Sequence, residues 1–194
     1  MTEKEKWQIA QHEERLYHKF SIGEGIKVYG GAYSTLFSYV NISADQEHKR
    51  ILEIGTADFP AMYFRDNVDG FIIEPMQSPI LETLCKERGF VLINKPAEEA
   101  DFPVVDEVWM FNLLTHVMNP DVIIEKAKQA SKIIRFFEPI DTAISIDHPW
   151  TFDLNYYKNK FGGCVQYYPP HPDAVNFHAH ECVYGVYHTE PTTA

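Results

Sequence analysis

Five short, mostly apolar runs constrain this chain more than any other feature. They are Ile51-Leu52-Glu53-Ile54, Phe71-Ile72-Ile73, Val91-Leu92-Ile93, Val108-Trp109-Met110-Phe111 and Ile133-Ile134-Arg135-Phe136-Phe137. Runs this short, without polar alternation, read as strands buried on both faces, the habit of parallel sheets. Helical stretches are expected between them at Ala61 to Asp66, Pro79 to Arg88 (closed by Gly89) and Pro120 to Ser131. Pro79 and Pro120 sit where a first helical turn tolerates proline. Strand–helix alternation of this kind builds right-handed crossovers and a doubly wound, mostly parallel α/β sheet with helices on both faces. After Asp141 the chain turns rich in His, Tyr and Pro, and Cys164 to Tyr168 with Phe177 to His188 reads as an antiparallel hairpin, giving seven strands. Before the first strand, Glu3 to Phe20 reads as a helix, with Trp7, Ala10, Glu14, Tyr17 and Phe20 on one face. Gly23, Gly25, Gly30 and Gly31 predict a break over Ser21 to Gly31, and a second helix is expected at Ala32 to Asn41.

Composition narrows the class of function. With 194 residues, 45% of them hydrophobic and 23% charged, the chain suits one domain with a core of its own. Its 17 Lys+Arg against 28 Asp+Glu give a net charge of −11, which repels phosphate backbones and anionic headgroups. Nucleic acid is therefore not expected as a partner. No run of 18 apolar residues occurs, and Met1-Thr2-Glu3-Lys4-Glu5-Lys6 is charged rather than signal-like, so no membrane partner is expected. Cys85, Cys164 and Cys182 are an odd count without CxxC spacing, which suits a reducing cytoplasm.

Ligands of open α/β sheets bind outside the carboxyl ends of the strands. Glu74 follows the second strand, 21 residues beyond Glu53, the distance at which an acid grips ribose hydroxyls in nucleoside-cofactor sites. A dinucleotide would need G-x-G-x-x-G after the first strand. Here Gly55 stands alone, Ala57 takes the second glycine position and Phe59-Pro60 crowd the loop. A pyrophosphate is poorly served by such a loop. S-adenosylmethionine (SAM), which has no phosphate, asks less of it.

Over Arg50 to Asp141 the chain resembles the class I SAM-dependent methyltransferases. Leu52-Glu53-Ile54-Gly55 matches the family's first motif, with its later glycines replaced by Ala57 and Phe59. Glu74 matches the ribose-binding acid, Pro96 to Pro103 the adenine-side segment, and Asn112-Leu113-Leu114-Thr115-His116 the turn after the fourth strand. Asp147-His148-Pro149-Trp150 is similar to a His-Pro segment placed over the substrate. The resemblance implies methyl transfer from SAM to an O, N or carboxylate acceptor on a small molecule or sugar. It implies that Glu53, Gly55 and Ala57 line the methionine tail, Glu74 takes the ribose, and Pro75 and Met76 pack on the adenine. Ala97 and Glu98 would meet the adenine edge, with Asn112 and Leu113 behind the sulfonium.

An acceptor hydroxyl or ammonium needs a base, and histidine suits that task near neutral pH. His148 and His116 are the candidates, with His12, Glu13 and Trp150 on the substrate side. The expected organisation is a helical lid over residues 1–45, a SAM-binding core over 50–141, and a substrate-side loop with the hairpin over 142–194. A homodimer interface is the competing use of the lid's apolar face. Two rival functions remain. A methyltransferase fold without catalysis would serve as a binding or assembly protein, which the glycine-poor loop favours. A metal-dependent enzyme would use the C-terminal histidines His171, His178, His180 and His188.

Overall fold

The computed structural model describes residues 5, 7–9, 20–43, 47–145, 148–169 and 181–189. In chain order these form α1 (Ile22–Tyr39), β1 (Lys49–Ile54), β2 (Val68–Ile73), α2 (Pro79–Arg88), β3 (Val91–Ile93), β4 (Glu107–Phe111), α3 (Pro120–Ala130), β5 (Ile133–Pro139), α4 (Leu154–Phe161), β6 (Gln166–Tyr168) and β7 (Cys182–His188). Glu5 and residues 7–9 are also helical. The strands make one seven-stranded sheet in the order β3-β2-β1-β4-β5-β7-β6. β1 to β5 pair in parallel, and β7 joins β5 and β6 antiparallel, as the hairpin reading expects. Because β1 lies between β2 and β4, the chain winds outward on both sides of it and leaves a crevice at the carboxyl ends of β1 and β4.

Period-two alternation assigns the core. Leu52, Ile54, Val108, Met110, Ile134 and Phe136 face α3 and α4, whereas Ile51, Ile72, Trp109 and Phe137 face α1 and α2. Local chemistry fixes the ends of α2. Ser78 Oγ accepts from Leu81 N–H at 3.2 Å, Pro79 opens the helix, and Gly89 closes it at φ 71°. Asn119 and Pro120 do the same for the start of α3.

Three expectations need correcting. The glycines of Ser21 to Gly31 do not break a helix, because α1 runs through them from a Ser21–Glu24 capping box. They are there for contact: a Cβ on Gly25 would lie 1.9 Å from Phe59 Cζ, and one on Gly30 would lie 3.1 Å from Phe64 Cε1. The Ala61 to Asp66 segment is a 3-10 turn over Ala61–Phe64. After Asp141 an unexpected helix, α4, starts where Asp153 accepts from Tyr156 N–H at 2.8 Å and buries Tyr157 and Phe161 against β5 and β7.

At the amino end of the sheet, Glu107 is fully buried and held by Arg135 at 2.6 Å, by Trp109 Nε1 at 2.9 Å and by Lys49. Burial alone would raise this carboxyl. The three donors outweigh it and bring it down to about 2.

Candidate active site

At the opposite, carboxyl end, three buried acids project from the strand ends, and each fastens a loop. Glu53 accepts from Ala61 and Met62 N–H at 2.7 and 2.8 Å. Glu138 accepts from Leu113 and Leu114 N–H, each at 3.0 Å to its Oε2. Glu74 accepts from Ala57 N–H on Oε2 and from Met76 N–H on Oε1, both at 2.9 Å. Burial pushes Glu53 up to about 7 and Glu138 up to about 8, against the pull of those amides.

The loops they hold enclose a cleft of about 480 Å³, its open mouth included. Gly55, Ala57, Glu74, Pro75 and Met76 form one side of it. Ala97, Glu98, Asn112 and Leu113 form another, beside Ile54 and Ile73. His116, Val117 and Trp7 complete the wall. Nine of the ten residues expected to hold a cofactor therefore meet at one cleft. Glu53 does not, because its place in the strand alternation turns it toward the α1 face and the Ala61–Met62 amides.

The backbone is bent to make the cleft. Gly55, Ala57 and Asn112 have φ of 71°, 48° and 54°. At Gly55 a side chain is also barred by space, since a Cβ would lie 2.5 Å from Leu113 Cδ1. Ala57 occupies the left-handed region at a cost of about 1 kcal/mol, and the Glu74 carboxylate on its N–H holds it there. This is how a loop lacking its second glycine keeps a tight turn.

Further anchors position the walls. Glu98 Oε1 accepts from Met118 and Asn119 N–H at 2.8 and 2.9 Å. Lys126 Nζ donates to the carbonyls of Glu98 and Ala100 at 2.6 and 2.9 Å. Trp7 Nε1 donates to His116 O at 3.0 Å, and Trp150 Nε1 to Val117 O at 2.7 Å. Trp150 thus supports the turn after β4 from behind and lines neither this cleft nor the cavity beside it, contrary to its expected place as a substrate wall. His148 stands with its ring centroid 4.4 Å from that of His116, so the two expected bases come together. Its Nδ1 lies 3.2 Å from Ser145 Oγ. His12 and Glu13 lie outside the described residues, as do His171, His178 and His180. Among the described residues no group of three or more His, Cys, Asp or Glu could hold a metal ion.

No protein-family model and no curated protein sequence matches the chain. Solved structures do. A SAM-dependent methyltransferase of Thermotoga maritima, described as a possible histamine N-methyltransferase, superposes with a TM-score of 0.64 at 14% identity over 95% of this chain and 100% of that one. The N-methyltransferase NodS of Bradyrhizobium japonicum, solved with S-adenosylhomocysteine, gives 0.63 at 10% identity over 96% and 99%. This chain has the class I methyltransferase fold. The [4+2]-cyclase SpnF shares that fold too, with a TM-score of 0.55 at 14% identity over 70% of this chain, which spans 56% of the cyclase.

Within the class I methyltransferase fold, the residues sequence reasoning overlooked are mainly apolar. Ile54, Ile73 and Val117 carry no chemical signature, and only the fold brings them to the cleft. Trp7 carried a signal in its amphipathic face, which had to bury somewhere.

Proposed function

We propose that the chain is a methyltransferase that binds SAM in this cleft and methylates a small-molecule acceptor. The observation that carries the reading is the chemistry of the cleft wall. Glu74 and Glu98 line it, the rest is largely apolar, and no Lys or Arg is among its described residues. A phosphate-bearing cofactor would find no counter-charge there, whereas a nucleoside carrying a sulfonium cation would. When bound, SAM supplies an electrophilic methyl group. Glu74 receives the ribose hydroxyls, Met76 and Ala97 pack on the base, and Gly55 with Leu113 shapes the tail. His116 and His148 stand on the acceptor side, where an imidazole takes the acceptor's proton. The fold of SAM-dependent neighbours supports this reading.

The enclosed part of the cleft is about 50 Å³, too little for a nucleoside. The segment bearing Trp7 therefore acts as a lid that swings out for cofactor entry and closes behind it. No helix among the described residues is long and apolar enough to cross a membrane, and Cys85 and Cys182 are buried thiols raised by burial to about 11 and about 12. Both suit action in a reducing cytoplasm.

Calorimetric titration with SAM and S-adenosylhomocysteine tests the proposal. Saturable binding that Glu74→Gln weakens is expected, and no binding at millimolar cofactor would overturn it. A second reading, a fold used for something other than methyl transfer, is favoured by the cyclase relative. It predicts cofactor binding without label transfer from methyl-tritiated SAM to any acceptor.

A further inference from the structure

Beside the cofactor cleft lies a second cavity of about 710 Å³, between the loop that follows β5 and the residue that precedes β7. Asp141, Thr142, Ser145, His148 and Glu181 line it. The His116–His148 ring pair is the partition between the two, because His116 lines the cofactor cleft and His148 the cavity. Thr142 Oγ1 is shielded from solvent with no hydrogen-bond partner among the described residues. An unpaired shielded hydroxyl is costly and points to a polar occupant.

The charge around the cavity has one sign. No Lys or Arg is among its described lining residues, while Asp141 and Glu181 both are. From residue 140 to the end, the sequence holds six Asp or Glu against two Lys and no Arg. Both lysines belong to α4, and Lys160 is already paired with Asp121 at 3.0 Å. A carboxylate acceptor would be repelled here and a neutral hydroxyl would gain little. An ammonium ion would be drawn in.

We infer that this cavity is the acceptor site and that the acceptor is an amine, bound as its ammonium ion between Asp141 and Glu181. The inference rests on the methyltransferase reading for its role as acceptor site, but not for the binding itself. An ammonium nitrogen has no lone pair with which to attack a methyl carbon. His148 takes one N–H proton on Nε2, its Nδ1 being held at Ser145 Oγ, and the bonding pair stays on nitrogen as the nucleophile. The proton then passes to solvent through the open mouth of the cavity.

The test uses the full chain saturated with S-adenosylhomocysteine and three matched probe pairs: benzylamine and benzyl alcohol, cyclohexylamine and cyclohexanol, glucosamine and glucose. Calorimetry should show at least one amine binding about tenfold or more tightly than its hydroxyl partner. Asp141→Asn and Glu181→Gln should each weaken that amine by about three- to tenfold while changing cofactor affinity less than about twofold. Asparagine tolerates the left-handed backbone at position 141 (φ 52°), so the variant remains a fair test. Equal binding of amine and alcohol, no binding of any amine at millimolar concentration, or amine binding unmoved by both variants would overturn the inference. Failure of S-adenosylhomocysteine to bind, with amine selectivity intact, would instead remove the methyltransferase reading and leave an amine site.

Discussion

The indole of Trp7 donates a 3.0 Å hydrogen bond to the backbone carbonyl of His116. The bond joins the amino-terminal helical segment to the turn after β4, and both residues wall the cofactor cleft. Trp7→Phe keeps the ring and removes the donor, a loss of about 1 kcal/mol from the closed state. Stopped-flow measurement should show S-adenosylhomocysteine dissociating about three- to tenfold faster, with the melting temperature of the free protein almost unchanged. Unaltered dissociation would mean that Trp7 is not part of a lid.

Glu74 carries two duties, and one substitution separates them. Its oxygens accept from Ala57 and Met76 N–H, so Glu74→Gln sets an amide NH₂ against one of those donors. The free protein should lose a few degrees of melting temperature. Cofactor affinity should fall by about ten- to a hundredfold, because the ribose contact loses its charge assistance. Calorimetry beside thermal unfolding reads both. A melting loss with intact affinity would confine Glu74 to holding the loop.

Stability should decline from mildly acidic to alkaline pH. Glu53 and Glu138 are raised from 4.5 to about 7 and about 8 when folded. The folded chain therefore holds protons that the unfolded chain has released. Their contribution is complete below about pH 4.5 and is lost as pH rises through about 7 and about 8. Glu107 runs the other way: lowered to about 2, it stabilises above 4.5 and loses that effect as pH falls toward 2. Urea unfolding at pH 5 and pH 8.5 should show the wild type weaker at the higher pH, and Glu138→Gln should narrow the gap. Identical pH dependence in the two proteins would contradict the burial account of Glu138.

Gly25→Ala should destabilise the protein even though alanine is the better helix former by about 1 kcal/mol. The added methyl would sit 1.9 Å from Phe59 Cζ, and Phe59 is itself buried. Overpacking of this kind costs about 1–3 kcal/mol, enough to reverse the propensity gain. Chemical denaturation of the single variant, and of Gly25→Ala with Phe59→Leu, should show a loss and a partial rescue. A more stable single variant would mean that α1 stands further from the 59–64 turn.

Sequence by itself determined the parallel strands, the ends of α2 and the start of α3. Their signals are local: apolar runs such as Val108 to Phe111, and cap chemistry such as Ser78-Pro79 and Gly89, act within a turn or two of the chain. The carboxyl-edge position of Gly55, Glu74 and Asn112 followed as well, since each ends or follows a strand in a doubly wound order. Tertiary structure decided what depends on distant partners. Gly25 and Gly30 read as a helix break until Phe59 and Phe64 press on them, and the need for close approach then outweighs their poor propensity. Glu53 reads as a cleft residue until the pleat turns it toward the amides of Ala61 and Met62. Ala57 stands in a glycine's conformation because Glu74 reaches across from the next strand to hold it. The pairing of His116 with His148 brings the turn after β4 against the loop after β5, and no local pattern in either segment encodes that contact.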